Sequence, residues 1–163
     1  MGVIPEGFGE RDRQAAYESP KYLDGQESVR YRSVRFEMLE HYGPACVFTG
    51  KVYPHLDGLG SGIDVGHLWP HSAGGPCVIQ NVAPMTKDVN HQWDQGLISL
   101  RNNGDVLIAS RAGSDTRALF SHIARIQFPK EVQHWPDAQY LERHRDEIFE
   151  KGAVASSMPS EWA

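Results

Sequence analysis

The first clear period in the chain is helical. Tyr31, Val34, Met38, Leu39 and Tyr42 recur at three- and four-residue spacing, which predicts a helix over Ser28–Tyr42. Ser28 is placed to cap its start, and Gly43-Pro44 ends it. Cys46 to Val52 then reads as a short strand or knuckle. A glycine-rich turn over 56–62 leads into an apolar strand, Ile63–Leu68, closed by Pro70. His71–Cys77, with Ser-Ala-Gly-Gly-Pro inside it, is a loop by composition. Asn81-Val-Ala-Pro leads into a helix expected to start near Pro84, where proline is tolerated, and to stop before Gly96. Leu97–Arg101 and Val106–Ser110 flank Asn103-Gly104, a strong hairpin signal. Further helices are predicted over Thr116–Arg125 and after Pro136-Asp137, the last with Tyr140, Leu141, His144 and Ile148 on one face. The centre of the chain therefore reads strand, loop, strand, helix. Residues 1–25 read as an arm with a short helix near Asp12–Glu18, and Ala153–Ala163 as a frayed tail. There are no internal repeats.

Composition narrows the classes. A chain of 163 residues with 40% hydrophobic positions fits one globular domain with a core of useful size. No apolar run reaches the length of a membrane span. The opening residues carry neither a charged leader nor an apolar run, and Glu6 stands where a myristoylation site needs Ser or Thr. Cys46 and Cys77 form no disulfide framework and no paired zinc knuckle, so a reducing cytoplasm is the expected setting. The net charge of −5 weighs against coating nucleic acid by charge alone. That balance comes from the flanks: between Arg30 and Arg101 six basic residues meet six acidic ones. Arg30, Arg32 and Arg35 make a local basic cluster that suits a solvated helix face or a phosphate contact equally well.

Reactive side chains concentrate between Asp64 and Ile98. His67 ends the apolar strand beside a proline-closed loop. A lone histidine there is more often structural, but Asn81 follows fourteen positions on, Asn90 nine beyond that, and His91 beside it. A histidine held by a fixed acceptor makes a general base near neutral pH. Hard ions such as Mg²⁺ need few protein ligands, because water and substrate phosphate complete the shell. Taken singly, Asn81 is an ordinary turn or cap residue.

Together these residues resemble the HNH endonuclease family. The likeness rests on Cys46-Val-Phe-Thr-Gly50, Asp64-Val-Gly-His67-Leu-Trp-Pro70, Gly74-Gly75, Asn81, and Asn90-His91-Gln-Trp93-Asp94-Gln-Gly96-Leu-Ile98. The nearest branch resembles bacterial restriction endonucleases, and Trp135-Pro136 followed by His144 and Phe149 extends the likeness to most of the chain. Any one motif is weak, whereas five in order and spacing are fairly specific. The resemblance implies an α+β fold with a ββα-metal (His-Me finger) core, flanking helices and an additional β-hairpin. It frames 26–150 as the nuclease domain between an arm (1–25) and a tail (151–163). It implies Mg²⁺- or Mn²⁺-dependent hydrolysis of DNA phosphodiester bonds, in restriction or defence, with one ion per site. His67 is then the general base, Asn81 the residue that ties the loop and orients it, and Asn90 or His91 a metal ligand. One such site cuts one strand, so a double-strand break requires a homodimer or two nicks.

Two departures stand out. The family often carries a ligand immediately before the catalytic histidine, where this chain has Gly66. Asp64 shares that strand face and is the substitute acidic ligand. Gln95 replaces an arginine expected to contact phosphate. These departures keep open a catalytically silent DNA- or partner-binding module. A structural zinc domain using Cys46, His67, Cys77 and His71 or His91 is a further alternative, disfavoured by unpaired cysteine spacing.

Overall fold

The computed structural model describes residues 25–52 and 62–151; the expected arm with its short helix, most of the glycine-rich turn and the tail lie outside them. Helix α1 spans Gly25–Tyr42 and buries Tyr31, Val34, Met38 and Leu39, the residues whose spacing predicts it. It ends where Gly43 takes φ +86° and donates its N–H to the Leu39 carbonyl at 3.0 Å, a left-handed closure suited to glycine. It starts before Ser28, which therefore lies within the first turn and is not the cap. Arg35 is also not on a solvated face. It is buried, and its Nη1 donates to the Ile63 carbonyl at 2.6 Å, fastening α1 to the first strand.

Strand β1 (Ile63–His67) pairs antiparallel with β2 (Val82–Thr86), with Asp64 opposite Met85, Gly66 opposite Ala83 and His67 opposite Val82. The helix expected from Pro84 is a correction. Pro84 stands in the middle of β2, and α2 runs only over Lys87–Asp94. Every residue of β2 is buried, so the strand lacks the alternation that would reveal it. A proline suits this edge, where its carbonyl accepts the Val47 N–H at 2.8 Å. The helix begins instead at Thr86, whose hydroxyl caps it by accepting the Val89 N–H. Residues 46–51 form the knuckle rather than a strand, closed by Gly50 N–H on the Cys46 carbonyl and Cys46 N–H on that of Lys51.

The second sheet is the hairpin β3 (Ile98–Leu100) and β4 (Val106–Ile108), turned through 101–105 with Gly104 at φ +93°. Helix α3 covers Ser114–Phe120 and stops short of the expected Arg125. The chain beyond it is spent on the hairpin: Val106 N–H bonds the Ala124 carbonyl and Ile126 N–H that of Gly104, both at 3.0 Å. Helix α4 (Ala138–Glu147) is capped by Asp137 and turns Leu141 and His144 inward.

The result is a mixed α+β fold with two two-stranded sheets. One apolar cluster joins α1 to Val65, Ile79 and Val82; the other joins Ala83 and Met85 to α2, the knuckle residue Phe48, β3 and α4. The β1–β2 pair thus lies between them. Among the described residues no helix is long and apolar enough to cross a membrane.

Candidate active site

His67 is the last residue of β1, 6% exposed, with its ring 5.8 Å from that of His71. The loop that follows is pinned by one side chain. Asn81 is fully buried; its Oδ1 accepts the Trp69 N–H at 2.8 Å, and its Nδ2 donates to the carbonyls of Trp69 (3.0 Å) and Pro76 (2.9 Å). Its own carbonyl accepts the Leu68 N–H at 2.8 Å. The amide therefore holds both ends of the loop that starts at His67. Gly75 makes the same loop tight, since a Cβ there would lie 1.9 Å from the Trp69 carbonyl oxygen.

Helix α2 is locked to that loop. Trp93, with no exposed surface, donates its indole N–H to the Leu68 carbonyl at 3.0 Å. Val89, Asn90 and Trp93 are the buried residues of α2, so Asn90 and Trp93 share the face turned inward. His91 is exposed on the other side. The helix phase thus separates the two residues that the sequence leaves interchangeable. Asn90 Oδ1 is buried and has no hydrogen-bond partner.

Asp64 lies on the sheet face shared with Gly66, Ala83 and Met85, the face covered by α2. Its carboxylate pairs with Lys87 Nζ at 3.5 Å. The position just before His67 has no room for a side chain: a Cβ on Gly66 would meet Met85 Sδ at 2.6 Å. At the end of α2, the Gln95 carbonyl accepts the guanidinium of Arg111, which brings an arginine to the turn where residue 95 lacks one.

Below Trp93 lies a second buried histidine. The His144 ring stacks on Trp93 with centroids 3.9 Å apart. Its Nε2 is 2.9 Å from the Trp93 carbonyl, and its Nδ1 is 2.8 Å from Ser99 Oγ. A carbonyl only accepts, so Nε2 carries the hydrogen and Nδ1 accepts from the serine hydroxyl. Burial pushes the His144 pKa down to about 4. It is a neutral structural ring.

Donor clustering shows one arrangement that the sequence reading misses. Among the described residues, Glu37, His41 and His134 bring three ligand atoms within 4.8 Å of one another. None of Asp64, His67, His71, His91, Cys46 or Cys77 joins such a group. The zinc alternative built on the cysteines is therefore corrected: Cys46 and Cys77 are buried in different apolar clusters. The one advance signal for the new cluster is the Glu37–His41 spacing of one helical turn.

No family model and no curated protein sequence matches the chain. Among solved structures, the fold is similar to that of a modification-dependent restriction endonuclease, TagI, with a TM-score of 0.59 at 19% identity. The match covers 78% of this chain but 44% of that protein, so the chain spans less than half of its length.

Proposed function

We propose that the chain is a divalent-metal-dependent DNA endonuclease of the HNH type, with β1, β2 and α2 as its ββα-metal core. The observation that carries this reading is Asn90. A buried amide oxygen without a hydrogen bond costs about 1–3 kcal/mol unless something satisfies it. Here it lies on the helix face locked to the loop that His67 opens. An oxygen donor suits a hard cation such as Mg²⁺ or Mn²⁺. Asp64, on the α2-facing side of β1, is the acidic second ligand once Lys87 releases it. The restriction-endonuclease likeness of the fold agrees with DNA as substrate.

In this reading His67 takes the proton from the attacking water. Asn81 fixes the loop on which that histidine depends. The bound ion supplies charge neutralisation at the phosphate and the leaving oxygen. His91, exposed on α2, stays outside the shell, and Asn90 takes its place. One ion and one histidine cut one strand, so double-strand cleavage by this chain requires a homodimer or two successive nicks. Restriction of modified DNA is the matching biological role.

A catalytically silent DNA-binding module is the second reading, favoured by Met85 filling the space at Gly66. Supercoiled plasmid incubated with the protein in Mg²⁺, Mn²⁺ or EDTA, with and without base modification, separates the two. Nicking in Mg²⁺ or Mn²⁺ that EDTA abolishes is expected; binding without nicking in every metal would overturn the enzyme reading.

A further inference from the structure

Glu37 and His41 stand one turn apart on α1, so their side chains lie on the same helix face. His134 reaches them from a 3-10 turn, Val132–His134, that precedes the last described helix. The His41 and His134 rings stack with centroids 3.5 Å apart and planes 15° from parallel. The three donor atoms lie within 4.8 Å of one another. Two ligands on a tetrahedral zinc ion with bonds of about 2.0–2.1 Å stand roughly 3.3 Å apart. Closing the donors onto an ion thus needs side-chain movement of about 1 Å and a turn of the stacked rings, since each imidazole lone pair lies in its own ring plane. His134 Nδ1 is buried with no hydrogen-bond partner. Glu131 Oε2 lies 3.9 Å from that nitrogen but accepts from Gln133 Nε2 and stands outside the three-donor cluster.

We propose that Glu37, His41 and His134 form a structural zinc site, separate from the Asn90 region and independent of the nuclease reading. The donor set selects the ion. Two imidazoles favour zinc or a similar borderline metal over Mg²⁺, which takes oxygen ligands. The site has a structural consequence as well. The same turn is fastened to the segment carrying Asn81: Gln80 Nε2 donates to the Gln133 carbonyl at 3.0 Å, and the Gln80 carbonyl accepts the Asp137 N–H at 2.9 Å. Zinc therefore joins the end of α1 to the turn that braces the loop-pinning asparagine.

The test uses the full chain, stripped with EDTA and titrated with Zn²⁺ against a chromophoric competitor. A Co²⁺ titration alongside it reads visible d–d absorption, and melting is followed with and without zinc. Wild type is expected to bind zinc at micromolar concentration or tighter. At a hundredfold excess over Kd, Tm should rise by about 5–10 °C. The double variant His41→Gln/His134→Gln should weaken binding roughly 100-fold and lose the Tm rise, whereas Asn90→Ala should keep both. Should the double variant not fold, Glu37→Gln spares the ring pair and should still weaken zinc measurably. Zinc bound by the double variant, or by a folded Glu37→Gln variant, as tightly as by wild type would overturn the site. So would a wild type that binds no zinc at about 100 µM.

Discussion

Trp93 separates two buried polar groups that the fold treats in opposite ways. Against its ring lies His144, with both nitrogens hydrogen-bonded and its face covered. One turn earlier on the same helix lies Asn90, with a buried oxygen that nothing in the described protein satisfies. His144 is the more reactive residue type, yet its surroundings consume all of its bonding capacity. Asn90 is chemically bland and keeps an acceptor in reserve. In the proposed reading, what distinguishes a site from a scaffold is unspent bonding capacity, not residue type. Asn81 belongs on the scaffold side by the same measure, since its amide is used at both ends.

Substitutions on the two sides should have opposite effects on cleavage and stability. The largest expected effect is on cleavage: His67→Ala should lower plasmid nicking by about 10²–10⁴ while melting and DNA binding stay near wild type. Wild-type nicking by that variant in Mg²⁺ would remove His67 from the chemistry. On the scaffold side, His144→Ala removes the ring stack and two hydrogen bonds. It should cost about 3–5 kcal/mol in urea unfolding, with any loss of nicking following the loss of folded protein. A cost under about 1 kcal/mol would contradict the structural assignment.

Acid probes the same histidine. The folded chain keeps His144 neutral down to about pH 4, while the unfolded chain takes up its proton near its ordinary value of 6.5. This contribution to stability is whole above pH 6.5 and is lost as pH falls from 6.5 to 4. The loss is on the order of 3 kcal/mol. Urea midpoints across that range should fall in wild type more steeply than in His144→Phe; parallel slopes would show that the ring is not held neutral.

Much of this was legible in the chain, for local reasons. Tyr31, Val34, Met38 and Leu39 bury one face of α1, and Asn103-Gly104 turns a real hairpin. The misses have tertiary causes. Pro84 reads as a helix start because β2 is buried throughout and shows no alternation. Helix α3 ends early because Ala124 and Ile126 are needed at the hairpin edge. Within the site, Val89 and Trp93 at i and i+4 already mark the inward face of α2, and that phase favours Asn90 over His91. His144 falls on the apolar face of its helix with Leu141 and Ile148, but its partners Ser99 and Trp93 come from elsewhere in the fold, so its bonding is not legible locally. Glu37 and His41 could be paired by spacing, but their meeting with His134 depends on how the C-terminal turn docks.

Asn90 carries the proposed metal site, and nicking measured across a Mn²⁺ titration tests its role directly. Asn90→Ala removes an unsatisfied acceptor, so its stability should stay within about 1 kcal/mol of wild type or rise slightly. Its half-saturating Mn²⁺ should increase about tenfold, corresponding to about 1.4 kcal/mol of ion binding. An unchanged Mn²⁺ requirement in a folded Asn90→Ala variant would contradict the claim that this oxygen is held ready for the metal.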